Sequence, residues 1–291
     1  MRRLYAHWQE FWYAQVPAAR LELFRVAMLA TLAYYLAARF AYAREWLTDI
    51  GFHPSVAADR GHAPGVPLLP ESWLVPFAIV CFASVALAMF GRLRRPATAV
   101  ALACVIYVTL ADPISAFTLN RLYIFSLTLL LLAPAGANIP AWPIRVLQLS
   151  LLLHYAGSGV CKAAYGDWLA HDDVLWMQIQ GLYMTDAAAW MVRTLPTWTF
   201  TVQQHTALGF ELLAPLLLGV RRLRPLGFLL GVGMHLLVAL TMYQLIYFSL
   251  QMIAFYAVFV DPVRAQRIVT FFGDSPPWAR RREPPPRPAH S

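Results

Sequence analysis

The stretch RVLQLSLLLHYAGSGVCKAAY, residues 145–165, decides how the chain is read. It is apolar over about the 20 residues that an α-helix needs to cross a bilayer. It also carries Lys162, the only lysine among 23 basic residues. A lysine at the centre of a membrane helix costs about 2.5–3.5 kcal/mol on insertion scales. Arginine would serve a simple charge contact equally well. A desolvated lysine, unlike an arginine, can become a neutral amine and act as a base or nucleophile.

Seven further apolar segments surround this one, giving eight at 21–39, 73–90, 97–111, 119–134, 145–165, 201–220, 226–243 and 245–260. Such long unbroken runs exclude strands as the spanning element. The last two are separated by almost nothing, which predicts a tight hairpin or a partly re-entrant pair. The expected fold is all-α: a polytopic membrane bundle of about eight transmembrane helices. Arginine turns at 91–96 and 221–225 join segments two to three and six to seven. With Arg2, Arg3, Arg145, Arg264, Arg267 and the run 280–282, they fall on one side of an eight-span chain. The acids Glu45, Asp49, Asp59, Glu71, Asp112, Asp167, Asp172, Asp173 and Asp186 fall on the other. The positive-inside rule then places both termini in the cytoplasm, in a multi-pass cell-membrane protein.

Composition agrees. The chain is 59% hydrophobic and 13% charged, with a mean hydropathy of +0.54, outside the range of soluble domains. Its net charge of +8 is that of basic cytoplasmic loops, and no aromatic-interleaved basic patch points to nucleic acid. Cys81, Cys104 and Cys161 lie in apolar segments without Cys-x-x-Cys spacing, so neither a disulfide framework nor a cysteine zinc site is expected. Ala41-Tyr42-Ala43 resembles a cleavage site but lies too far along the chain, and the first span is expected to be retained.

Outside the spans, residues 1–20 form a cytoplasmic segment whose Tyr5, Trp8, Phe11, Trp12 and Tyr13 predict an interfacial helix over 5–16. Residues 166–200 make a long outer loop with Trp168, Trp176, Trp190 and Trp198, and its part 172–186 is amphipathic. It reads either as a tryptophan belt or as a lid over a site below. Residues 263–291 are read as a cytoplasmic tail, Pro/Arg-rich and disordered from Ser275.

The polar residues within the spans fall into two layers. His154, Ser158 and Lys162 step by four along one face, with Gly157 and Gly159 allowing a neighbouring helix to approach. Lys162 lies about 6 Å below the outer boundary at 1.5 Å per residue. It shares that layer with His205 and with Asn120 and Arg121 at the start of segment four. Glu211, roughly 15 Å down, forms a middle layer with His154 and His235. Gln204 and Glu211 share a face at i, i+7, and Gln251 adds a buried amide. Arg25 snorkels or pairs with Glu22. A carboxylate as deep as Glu211 needs a partner, a proton or water. A His/His/Glu set without H-x-x-x-H or E-x-x-H spacing does not support a metal.

Leu23-Phe24-Arg25, Gly159-Val160-Cys161-Lys162 with Gly166-Asp167-Trp168, then Glu211, the arginine turn, His235 and Asp261-Pro262 occur in a distinctive order. In this order they resemble the horizontally transferred transmembrane domain over residues 20–262. This is the membrane part of vitamin K-dependent gamma-glutamyl carboxylase. The resemblance implies that Lys162 is the base that deprotonates a membrane quinol similar to vitamin K. From their depth in the spans, His154, His205, Glu211 and His235 are expected as supporting catalytic groups, and Asn120 and Arg121, with Trp168 of the lysine motif, as quinol-binding ones. Leu119-Asn120-Arg121 stands where the carboxylase has a functional histidine. The implied partners are membrane lipids and an exported peptide undergoing modification or maturation. Two other functions fit the residues: a non-enzymatic maturation factor, and a proton-coupled carrier using His154, Glu211 and His235.

Overall fold

A computed structural model of the chain describes residues 2–58, 60–90 and 93–272. The expected disordered tail from Ser275 lies outside the described residues, as do Asp59, Gly91 and Arg92. The described chain is helical: α1 (Arg2–Tyr13), α2 (Ala19–Phe40), α3 (Ala43–Leu47), α4 (Leu74–Phe90), α5 (Arg94–Ala111), α6 (Thr118–Leu132), α7 (Trp142–Tyr165), α8 (Val174–Ile179), α9 (Asp186–Thr194), α10 (Trp198–Gly219), α11 (Arg224–Thr241), α12 (Leu245–Phe255) and α13 (Pro262–Phe272). Two three-residue strands, β1 (Gln15–Pro17) and β2 (Asn138–Pro140), pair antiparallel and join the entry of α2 to that of α7. Strands of three residues are too short to show a period, so the pairing was not expected.

Each apolar segment is a helix, but they differ as candidate spans. Helices α2, α5, α11 and the 20 residues Glu71–Phe90 that end in α4 are long and apolar enough to cross a membrane. Helix α6 is shorter, at 15 residues. The last segment breaks: α12 passes through a 3-10 turn at Tyr256–Phe259, then bends by 119° into α13. Residues 263–272, read as the start of the cytoplasmic tail, are helical. Helices α7 and α10 have 24 and 22 residues, yet they do not reach the same apolarity. They carry Gln148, His154 and Lys162, and Gln203, Gln204, His205 and Glu211.

Helix α2 is the hub, packing against α4, α6, α7, α12 and α13. Its Phe24, Met28, Leu29 and Leu32 have no exposed surface. Arginines fix it near both ends. Arg25 pairs with Glu22 at 2.6 Å, in place of snorkelling, and donates to the carbonyls of Ala88 (2.7 Å) and Met89 at the end of α4. Those carbonyls have no partner within their own helix, and the cation complements the negative end of the helix dipole. Glu22 also accepts from Arg94 at 2.9 Å, which draws in α5. At the other end Arg39 pairs with Asp112 and lies 4.3 Å from the Trp46 ring.

The joint between α11 and α12 is closed by Gln244 in the left-handed region (φ 68°). Gly231 faces Tyr256 and Phe210 so closely that an added Cβ would lie 1.7 Å from the Tyr256 hydroxyl. Gly157 faces open space, with nothing within 4 Å of an added Cβ, so it does not serve the close approach expected of it. Gly231→Ala is expected to lower stability by about 1–3 kcal/mol through overpacking. Gly157→Ala is expected to be neutral or stabilising, because alanine is the better helix former. Thermal unfolding of both variants in detergent checks the pair.

Candidate functional site

Trp168 meets Gln204 while Lys162 meets Glu211, so α7 and α10 run antiparallel and are adjacent. Gly159 makes the approach possible: a Cβ there would lie 3.0 Å from the Leu212 nitrogen and 3.1 Å from the Glu211 Cβ. Lys162 Nζ donates to Glu211 Oε1 at 2.5 Å, and Ser158 Oγ donates to Glu211 Oε2 at 3.2 Å. The deep carboxylate thus has its partner. The Glu211 side chain is 6% exposed and that of Lys162 30%. The two layers expected from depth merge here, because the flexible lysine stem extends towards the carboxylate. Pro215, one turn beyond Glu211 in α10, lacks the N–H that would have bonded the Glu211 carbonyl.

The turn after α7 explains Gly166-Asp167-Trp168. The Gly166 N–H bonds the Lys162 carbonyl at 3.1 Å, and a Cβ on Gly166 would lie 2.9 Å from the Lys162 Cα. Asp167 is left-handed (φ 61°), a conformation aspartate tolerates better than most residues. The chain therefore reverses, and the buried Trp168 ring comes back over Lys162 with Nζ 4.6 Å from its centroid. Gln204, wholly buried, clamps this segment. Its amide donates to the carbonyls of Trp168 (2.9 Å) and His171 (2.7 Å), and its oxygen accepts from the Leu175 N–H at 2.9 Å. The sequence placed Gln204 on the Glu211 face but gave no hint of what it would hold.

Beside the ion pair is a cavity of about 510 Å³. Leu175 and Ile179 of α8, Phe210 of α10, Leu237 of α11, and Phe248 and Met252 of α12 form apolar walls. His154, Tyr155, Ser158, Lys162, Glu211 and His235 are among its polar groups. His154, Ser158 and Lys162 do share one face, as their spacing predicted. His235 does not bond Glu211; its Nε2 is 2.7 Å from the Tyr155 hydroxyl, itself 3.0 Å from that of Tyr256. The two tyrosines escaped the sequence reading, since nothing local marks Tyr256 as the neighbour of Gly231.

Three expected residues lie elsewhere. His205 is exposed on α10 and pairs with Asp172 at 3.3 Å. Asn120 is buried against α2 and α5, accepting from the Tyr35 hydroxyl and donating to Thr109 Oγ1, both at 3.3 Å. Arg121 is exposed. Equal depth in the sequence did not make them neighbours, because α6 packs mainly against α5 and α2, away from α10. Of the four loop tryptophans, Trp168 enters the site, whereas Trp190 and Trp198 are exposed. Among the described residues, no group of three His, Cys, Asp or Glu side chains gathers as metal ligands.

The site has the form of a ligand pocket: mostly apolar, with a few convergent polar groups and a volume within the usual ~300–1,000 Å³. Glu211→Leu is expected to cost about 1–3 kcal/mol, less than the ~3–5 kcal/mol of a fully buried pair because Lys162 is partly exposed. The double variant Lys162→Met, Glu211→Leu should recover most of that loss, and thermal unfolding of the three proteins tests this. Gln204→Leu should leave the fold intact but speed amide hydrogen exchange across 168–175. No family model matches the chain, and neither a curated protein nor a solved structure was found to match it.

Proposed function

We propose that this is an eight-span membrane protein with both termini in the cytoplasm. In this reading it is related to the horizontally transferred transmembrane domain of the gamma-glutamyl carboxylase, and it uses Lys162 as a base on a quinol-like lipid. The observation that carries the reading is the Lys162–Glu211 pair at the polar edge of an apolar cavity. A quinol fits such a place: a flat apolar ring system against Phe210, Phe248 and Met252, with its oxygens towards Lys162. When bound, it would supply an ionisable hydroxyl and the reducing equivalents for later chemistry.

The protein's own groups divide the work. Ligand in the cavity, with Trp168 above, excludes water from the pair. In a dry site the ion pair loses its advantage over the neutral amine and carboxylic acid, because desolvating two charges is expensive. Moving one proton from Nζ to Oε1, across 2.5 Å, gives that neutral pair. Lys162 Nζ then has a lone pair with which to take a proton at the polar edge of the cavity, and Glu211 keeps the proton it received. Ser158 holds the second carboxylate oxygen, which leaves Oε1 as the one facing the amine. Arginine in place of Lys162 would stay charged and could not do this.

The test is reconstituted protein supplied with vitamin K hydroquinone and oxygen, with consumption of the quinol followed over time. Lys162→Met is expected to lose about 10²–10⁴-fold in rate, the usual weight of a general base. An unchanged rate in a variant that folds like the parent would reject the reading.

A further inference from the structure

We infer that the end of the bundle opposite Lys162 holds a phosphate site, formed by Arg20, Arg145 and Arg224. The three arginines lie within the first four residues of α2, α7 and α11. A helix N-terminus already carries about half a positive charge, so a cation in its first turn is unfavourable. None of the three ends has a side-chain cap: the preceding residues are Ala18, Ala141 and Leu223. The guanidinium groups are also close enough to repel one another, Arg20 with Arg145 and Arg224, and Arg224 with Arg145 and Arg221. Three positive helix ends and three guanidinium groups thus lie together, with Arg221 beside Arg224.

The available acids do not neutralise them. Asp261 is within electrostatic reach of Arg20, but it pairs with Arg221 at 3.1 Å and accepts from the Val263 N–H at 3.0 Å. Glu22, in the first turn of α2, is taken by Arg25 and Arg94. Arg145 donates to Gln148, and Arg224 donates to the carbonyls of Leu218 and Phe259. These bonds hold the side chains in place without cancelling their charge. Two buried donors, Arg20 Nε and Trp12 Nε1, have no acceptor among the described residues. Helix α1 joins the cluster: Arg145 lies 4.7 Å from the Phe11 centroid, and Phe11 packs edge-on against Trp12 at 5.0 Å.

Such a set calls for an anion with several acceptor oxygens. Guanidinium groups bind phosphate through paired charge-assisted bonds, and helix N-termini favour the same ligand. The phosphate could belong to an anionic lipid or be free in solution. The surroundings match a lipid headgroup: α1 exposes Leu4, Tyr5 and Trp8, and α13 exposes Val263 and Ile268 beside Arg264 and Arg267.

The experiment uses the full chain in nonionic detergent, with phosphatidylglycerol, phosphatidylcholine or sodium phosphate as the added probe. Native mass spectrometry reads retained lipid, and the melting temperature reads phosphate. The expected result is one retained phosphatidylglycerol, held at least about tenfold more weakly by Arg20→Gln, with Arg264→Gln behaving as the parent. If sodium phosphate alone raises the melting temperature of the parent but not of Arg20→Gln, and phosphatidylglycerol adds nothing, the site is real and its ligand is free phosphate. Should Arg20→Gln fail to fold, Arg145→Gln serves in the same comparison. The inference is overturned if Arg264→Gln weakens binding as much as Arg20→Gln, or if no probe separates the parent from the site variant.

Discussion

A carboxylate buried between two apolar helices must be partnered, and the arrangement of α7 and α10 follows from how Glu211 meets that need. Lys162 reaches it along a flexible stem, and Ser158 takes its other oxygen. Gly159 removes the side chain that would keep the helices apart. Moving either helix along its axis by one residue would shift the pair by about 1.5 Å, more than the margin of a charge-assisted hydrogen bond. The register of α7 against α10 is therefore set by a polar contact. The Gly166–Asp167 reversal and the Gln204 clamp then bring Trp168 over the amine.

The same logic governs the rest of the bundle. Helices surrounded by lipid gain little from burying apolar surface against one another, so small residues and polar bonds set their packing. Arg25 fastens the start of α2 to the end of α4 through carbonyls that α4 cannot satisfy itself. Gln148 donates to the Val258 carbonyl at 2.8 Å, and Gln251 to that of Leu119 at 3.0 Å. Each is a long-range bond from a side-chain amide to backbone near the end of another helix. They place α7 and α12, and with them two walls of the cavity.

The helices were legible in the sequence because hydropathy is a local property. So was the face shared by His154, Ser158 and Lys162, since helical periodicity is local too. Pairing between helices was not. Depth along a span put Asn120, Arg121 and His205 level with Lys162, but equal depth says nothing about which helices are adjacent or which way a side chain turns. His205 turned outward to Asp172, and Asn120 to Tyr35 and Thr109. The link from His235 through Tyr155 to Tyr256 joins α11, α7 and the end of α12, so no stretch of sequence contains it. The β1–β2 pair was hidden for a different reason: three residues are too few to show a period. Helix α13 lies beyond the last apolar segment, where hydropathy does not separate a surface helix from tail.

A chain with one lysine has one side-chain primary amine, and here that amine is hemmed in by a carboxylate, an indole ring and an apolar chamber. An amine-directed reagent small enough to enter would mark a single internal position. Its rate of attachment would measure how often Glu211 releases its partner. The residue that makes the site chemically interesting is therefore also a reporter of its opening, requiring no introduced label.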